Sequence, residues 1–171
     1  MWGEPTVMLM KYAKEKGLLT SLDTQMDRTG QYAGELDRVL RHTDILFADE
    51  FEAKSVAKED SAEKAAQKLL SYGPSMIGMK LGMDGCLVAT RNETIRIPAF
   101  KVEVVDTIGA GDAWDAGFIL GQLNNWDLRE SAEFANATAA FSVMGPGGSE
   151  GVSGRREIGN FLKQMRWTAQ K

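Results

Sequence analysis

Val104-Val105-Asp106-Thr107-Ile108-Gly109-Ala110-Gly111-Asp112-Ala113-Trp114 changes character twice within one short stretch. The apolar run Val102 to Val105 predicts a strand, the two glycines a loop, and the residues from about Ala110 onward an amphipathic helix. A strand, a glycine loop and a helix N-terminus together make an anion site. Glycine lets the backbone come close to a ligand, and the first helical N–H groups have no intrahelical partner and point outward. The helix dipole adds roughly half a positive charge there. Aspartates bracket this loop, which a site that merely grips an anion does not need. A carboxylate at the rim can accept a proton from an incoming hydroxyl while the amides steady phosphoryl charge, the division of labour that phosphoryl transfer requires. The competing reading is structural, with Asp106 capping a turn and Asp112 complementing the helix dipole.

Working outward, short apolar runs alternate with longer amphipathic stretches, the pattern of a layered α/β domain. A helix is predicted over Pro5 to Glu15, with Val7, Leu9, Met10 and Ala13 inward and Gly17 ending it. Leu18 to Asp23 reads as a strand, Tyr32 to Arg41 as a helix, and Asp44 to Phe47 as a strand. Asp60 is the expected N-cap of a further helix, with Glu63 as its capping-box partner and Gly73 at its end. Strands follow over Met76 to Leu81, Cys86 to Thr90 and Thr94 to Ile97; the short turns between them predict a local antiparallel excursion. Helices starting near Ala110, after Asp127 and near Arg155 close the chain. Residues 1–171 read as a single domain without repeats or low-complexity segments.

Bulk properties narrow the functional classes. Hydrophobic residues make up 43% of the 171 and charged residues 26%, with a formal net charge of −4. A mildly acidic chain has no electrostatic reason to prefer nucleic acid or an anionic membrane, so a bound phosphate must be held by local geometry. No apolar run reaches the roughly 18 residues of a membrane span. The start of the chain lacks the basic and apolar regions of a signal peptide. The single cysteine, Cys86, lies in a strand-like run and reads as a core thiol. These features predict a soluble, cytoplasmic protein.

The ordered string Asp106-Thr107-Ile108-Gly109-Ala110-Gly111-Asp112 resembles the signature of the ribokinase-like, phosphofructokinase-B type carbohydrate kinases. The resemblance implies a three-layer αβα, Rossmann-like fold and ATP-dependent phosphorylation of a sugar hydroxyl. It makes Asp112 the general base and Gly109, Ala110 and Gly111 the anion hole. Thr107 falls beside the nucleotide, and Asp106 with the Ile108 carbonyl beside a monovalent cation, K+ in many members. Phe47-Ala48-Asp49-Glu50-Phe51-Glu52 resembles the family's Pro-Asn-x-x-Glu motif, whose polar pair organises magnesium-bound water; a solvated helix N-terminus rich in acids is the alternative. Ala48 replaces the proline and Asp49 the asparagine. Met79-Lys80-Leu81-Gly82-Met83-Asp84-Gly85 resembles the strand and turn that touch ribose and phosphate. That places Lys80, Gly82 and Gly85 in the nucleotide site, with an edge-strand charge as the alternative for Lys80. Asn136 falls near the adenine, with helix packing as its alternative, and Gly147 and Gly148 fall in a loop closing over nucleotide and cation.

Two residues stand apart from the motif. His42, the only histidine, follows a helix end and reads as a surface charge complementing the dipole. Asp23, at the carboxyl end of a strand, is a candidate for the sugar-side crevice or simply part of a turn. The resemblance covers nearly all of this chain but only the C-terminal half of the family fold. The family's early strands, lid and most sugar-binding residues have no counterpart here. Two functions therefore remain in play: the ATP-binding, catalytic portion of a sugar kinase, or a non-catalytic nucleotide-binding or assembly module. Either one is expected as a homo-oligomer or with a complementing N-terminal half, because a sheet lacking its early strands leaves an open edge.

Overall fold

Apolar positions at helical spacing alternate with short β-branched runs, and each such segment becomes an element of an α/β fold. The computed structural model describes residues 3–25, 33–148, 150–152 and 154–168. The helices are α1 Glu4–Glu15, α2 Ala33–Leu40, α3 Glu50–Ala57, α4 Ala62–Leu70, α5 Ala110–Leu123, α6 Leu128–Val143 and α7 Arg155–Thr168. The strands are β1 Ser21–Asp23, β2 Ile45–Asp49, β3 Met76–Lys80, β4 Cys86–Thr90 and β5 Thr94–Ile97, in sheet order β1-β2-β3-β4-β5. Strands β1, β2 and β3 are parallel, with Leu22 opposite Leu46 and Asp49 opposite Lys80. The chain packs as two compact units, Met1–Leu81 with Leu87–Ile95, and Gly82–Cys86 with Arg96–Lys171.

In the first unit Val39, Leu40, Leu46, Ile77 and Leu87 are buried in one apolar cluster together with Leu22. Helix α1 begins with Pro5 in its first turn and contributes Val7 and Met10 to that cluster. Leu9, expected inward, is exposed, as are Met8, Tyr12, Leu18 and Leu19. The turn from β4 to β5 is closed by the Thr90 N–H donating to the Glu93 carbonyl at 2.8 Å. Strand β1 is shorter than predicted, and the predicted start of α2 at Tyr32 lies outside the described residues. The cap of α4 is Ser61, not Asp60; its hydroxyl accepts the Lys64 N–H at 3.3 Å. Helix α3 follows the alternative reading of this segment as an acid-rich helix N-terminus, with Asp49 and Glu52 forming a full capping box at its start.

The second unit pairs α5 with α6. Trp114 and Phe118 stack with ring centres 5.1 Å apart, and Phe134, Ala137 and Ile158 form a core with Phe100, Phe141 and Phe161 around them. The predicted strand over Val102 to Val105 is absent. The segment pairs with no strand: the chain bends at Val105, whose N–H donates to the Val143 carbonyl at the end of α6, and Val104 and Val105 are exposed. Cys86 is fully buried, and burial pushes its thiol up to about 12 against hydrogen bonds from Trp114, Asn136 and Ile97.

The entry to β2 is tied to the entry to β1 by Asp44. The Thr20 N–H donates to Asp44 Oδ2 at 2.9 Å, the Thr20 hydroxyl lies 3.0 Å from the same oxygen, and Lys14 forms an ion pair with Oδ1. Partial burial pushes this carboxyl up, but Lys14 and the two Thr20 groups outweigh it and hold it below its ordinary value. Asp44→Asn is expected to cost about 2 kcal/mol at neutral pH, the scale of hydrogen bonds to a charged acceptor. A depressed folded-state pKa means that this stabilisation is complete above the unfolded value of about 4 and is lost as pH falls through the lower folded value. Urea unfolding of both proteins should therefore show a gap near pH 7 that narrows in acid. A gap unchanged in acid would show that the charge on Asp44 contributes nothing.

Candidate functional site

Residues of the predicted site fall in two places, one in each unit. In the second unit, the left-handed backbone of Gly109 (φ 76°) turns the chain into α5, with Gly109 as N-cap and Asp112 in the first turn. An added Cβ on Gly109 would stand 2.5 Å from the Gly148 Cα, so two glycine backbones touch where any side chain would collide. The N–H groups of Gly109, Gly111 and Asp112 meet no hydrogen-bond acceptor among the described residues, as expected for a helix start. The Ala110 N–H is used within the turn, donating to the Thr107 carbonyl at 3.3 Å. Of the three amides expected to form the anion hole, two are therefore open, and the N–H of Asp112 joins them.

The two aspartates differ sharply. Asp112 is exposed, and its carboxylate takes part in no hydrogen bond or ion pair among the described residues. Asp106 is fully engaged: Oδ1 accepts the Ile108 N–H at 3.0 Å and Oδ2 accepts the Gly147 N–H at 3.1 Å. The N–H groups of Ile108 and Gly147 hold the Asp106 carboxyl below its ordinary value, so it stays ionised. Asp106 thus straps the loop before α5 to the glycine loop after α6. That second loop is held again by Ser142, whose hydroxyl donates to the Gly148 carbonyl at 3.1 Å. The Ile108 carbonyl accepts no hydrogen bond among the described residues.

Asn136 is buried on α6. Its Oδ1 accepts the Trp114 indole N–H at 2.7 Å, and its Nδ2 donates to the carbonyls of Ile97 and Pro98 at 3.1 and 3.0 Å. Three of the four hydrogen bonds that this amide can make are spent inside the protein. Gly85 has a packing reason of its own, since a Cβ there would stand 2.0 Å from the Ile97 carbonyl oxygen. Gly82 faces open space.

In the first unit, the carboxyl ends of the parallel strands carry the polar residues, as the topology of open α/β sheets leads one to expect. Lys80 ends β3, an interior strand, so its reading as an edge-strand charge fails. Its ammonium is 2.7 Å from Asp23 Oδ1 at the end of β1, with only 15% of the lysine side chain exposed. Asp49 ends β2 and caps α3: its Oδ1 accepts the Glu52 N–H at 2.7 Å, while Glu52 Oε2 takes the Asp49 N–H at 3.2 Å. Aspartate and asparagine cap helices about equally well, so the cap survives the change of Asn to Asp. The Thr24 hydroxyl donates to Glu52 Oε2 at 2.9 Å. Thr24 was missed by sequence reasoning. The Asp-x-x-Glu spacing at Asp49 was the available signal for the α3 cap, but nothing local marks the link to Thr24 across the sheet. No three His, Cys, Asp or Glu among the described residues converge as a metal cluster. Magnesium here would be held through water by Asp49 and Glu52 and by phosphate, which suits an ion that keeps its waters. His42 lies two residues past the end of α2, beside Arg41, as expected.

A family model described as "pfkB family carbohydrate kinase" matches residues 3–153. The 5-dehydro-2-deoxygluconokinase of Clostridium perfringens is 29% identical over 173 residues, covering 95% of this chain and 51% of its own length. The ribokinase of Arabidopsis thaliana, solved with ribose and ATP, superposes with a TM-score of 0.83 at 25% identity, covering 92% of this chain and 52% of that one. A structure from E. coli described as a ribokinase II in complex with ATP and Mg2+ gives a TM-score of 0.83 at 27% identity, covering 91% and 52%. The chain spans about half the length of the curated relatives it matches. The fold is therefore ribokinase-like, as the motif implied. No helix among the described residues is long and apolar enough to cross a membrane.

The touching glycine backbones make a sharp test of the loop geometry. Gly109→Ala should cost about 3 kcal/mol, combining a left-handed backbone with overlap against Gly148. Gly147 also has a left-handed backbone (φ 72°) but has open space around it. Gly147→Ala should cost only the backbone strain, about 1 kcal/mol. Denaturant midpoints decide it, and equal, small losses would mean that the two loops do not meet.

Proposed function

Because the chain belongs to the pfkB family of carbohydrate kinases, we propose that residues 1–171 act as one domain binding ATP and supplying the base for phosphoryl transfer to a sugar hydroxyl. The observation that carries this reading is Asp112, an exposed and unengaged carboxylate placed among open amides at the start of α5. In the proposed reaction the acceptor hydroxyl gives its proton to Asp112. Its oxygen attacks the γ-phosphorus in line, the bond from that phosphorus to the β,γ-bridging oxygen breaks, and ADP leaves. The N–H groups of Gly109, Gly111 and Asp112 steady the charge on the transferring oxygens. Thr107, Gly82, Gly85 and the loop at Gly147 and Gly148 border the nucleotide in this reading, and Lys80 meets a phosphate. Asn136 holds the helix that faces the adenine. Asp49 and Glu52 hold magnesium through water, which offsets phosphate charge when bound. The Ile108 carbonyl and Asp106 carboxylate are the donors for K+, a hard cation suited to oxygen ligands. The reaction belongs in the cytoplasm, where ATP is supplied.

On the family resemblance, most sugar-contacting residues belong to the N-terminal half of the fold. We propose that they come from a complementing N-terminal half, or that a second copy of the chain covers the same surface. The support is an exposed apolar set, Met8, Leu9 and Tyr12 on α1 with Leu18 and Leu19 just before β1, the first strand of the sheet order. Leu22, within β1, is buried in the core. The alternative of a non-catalytic nucleotide-binding module predicts ATP binding without turnover.

Isothermal titration with Mg·ATP is expected to give a saturable site. Asp112→Asn should leave that binding nearly intact while lowering phosphoryl transfer, measured with the complementing half supplied, by roughly 10²-fold or more. Wild-type turnover in Asp112→Asn would reduce that residue to a dipole-complementing charge, and absence of binding at millimolar nucleotide would remove the whole reading. Light scattering of dilute protein should show a dimer or larger species that Leu9→Lys with Tyr12→Lys returns to monomer. A wild-type monomer that binds no apolar dye would show that this surface needs no cover.

A further inference from the structure

Resting on that reading, we infer that Asp23-Thr24, at the carboxyl end of β1, is the positioning element of the nucleotide site. Asp23 sets the Lys80 ammonium, and Thr24 sets the Glu52 carboxylate. The two residues are adjacent in sequence, yet their side chains reach different elements. Asp23 Oδ1 is 2.7 Å from Lys80 Nζ at the end of β3, across the intervening strand β2. The Thr24 hydroxyl donates to Glu52 Oε2 in the first turn of α3 at 2.9 Å. Alternation along an extended chain sends successive side chains to opposite sides, so one short strand end serves two partners at once. Its backbone is fixed too, because the Thr24 N–H donates to the Phe47 carbonyl at 3.0 Å.

Each contact removes freedom that ligand binding would otherwise have to remove. A lysine side chain carries about 2 kcal/mol of rotamer entropy, and the ion pair with Asp23 restricts it before any phosphate arrives. A lysine held by a carboxylate so as to meet nucleotide phosphates is also the arrangement that protein kinases require. Glu52 is held from two directions, by the Asp49 N–H and by the Thr24 hydroxyl, both on Oε2. With both donors on one oxygen, the direction in which Oε1 points is fixed. The two halves of the dipeptide therefore act on different ligand chemistry: Asp23 through Lys80 on phosphate charge, and Thr24 through Glu52 on hydrated magnesium.

That separation is the test. ATP binding to the full chain is titrated with excess Mg2+ and again with EDTA, for wild type and for Asp23→Ala, Lys80→Ala, their double variant, Thr24→Val and Thr24→Ser. Thermal melts of each confirm folding. Asp23→Ala is expected to weaken ATP about tenfold with or without Mg2+, and the double variant to be no weaker than Lys80→Ala, because the two residues act as one unit. Thr24→Val should weaken binding only when Mg2+ is present, and Thr24→Ser, which keeps the hydroxyl, should restore it. Additive losses for Asp23 and Lys80, or equal losses in Mg2+ and EDTA for Thr24→Val, would overturn the inference while leaving the nucleotide site standing. A wild-type chain that binds no ATP in either buffer would overturn both.

Discussion

The second unit is organised by a single carboxylate. Asp106 accepts one N–H from its own loop and one from the loop after α6, and in doing so brings Gly109 and Gly148 into backbone contact. The start of α5 depends on that contact. It fixes the angle at which the helix leaves the loop, and with it the direction of the open amides and the placement of Asp112 at their rim. The N–H donors also keep Asp106 ionised, so the strap and any cation beside the Ile108 carbonyl favour the same charge state. Asp112, by contrast, remains unspent. The two aspartates that bracket the loop thus differ in how many donors each one meets.

Much of this was legible in the sequence. The string from Asp106 to Asp112 announced its turn and its helix because glycine, aspartate and helix start each obey strong local rules. The helix start after Asp127, and strands β4 and β5, followed from equally local signals. Other features escaped because they are decided at a distance. Val102 to Val105 has the composition of a strand, but strandhood needs a neighbour, and the partner here is the carbonyl end of α6. Leu9 has the right spacing to be buried, but burial needs something to pack against. The edge-strand alternative for Lys80 stayed open because strand order is invisible in a single sequence. For Asn136 the sequence left adenine contact and helix packing both open, and only the fold shows its amide tying Trp114 to the end of β5.

The first unit applies the same economy at the carboxyl edge of its parallel strands. Every charged side chain discussed there is held by another: Lys80 by Asp23, Glu52 by Thr24, and Asp49 by the helix it caps. Ionised groups left loose in a half-buried site would swing and attract water, at a cost in entropy to any ligand that had to order them. Held in place, they present a fixed field. The α3 cap is made by aspartate at position 49, where asparagine would cap about equally well.

The burial of Cys86 has a practical consequence. Its thiol is out of solvent, held among Trp114, Asn136 and the backbone of Ile97, and at physiological pH almost none of it is thiolate. Maleimides and other alkylating reagents need an accessible thiolate. The native protein therefore offers such reagents a blank background, and a cysteine introduced at an exposed position such as Ile108 or Met83 would be the sole point of attachment for a fluorophore or spin label. Loop motion at the start of α5 could then be followed without first engineering the natural thiol away, leaving the contacts around Trp114 and Asn136 intact.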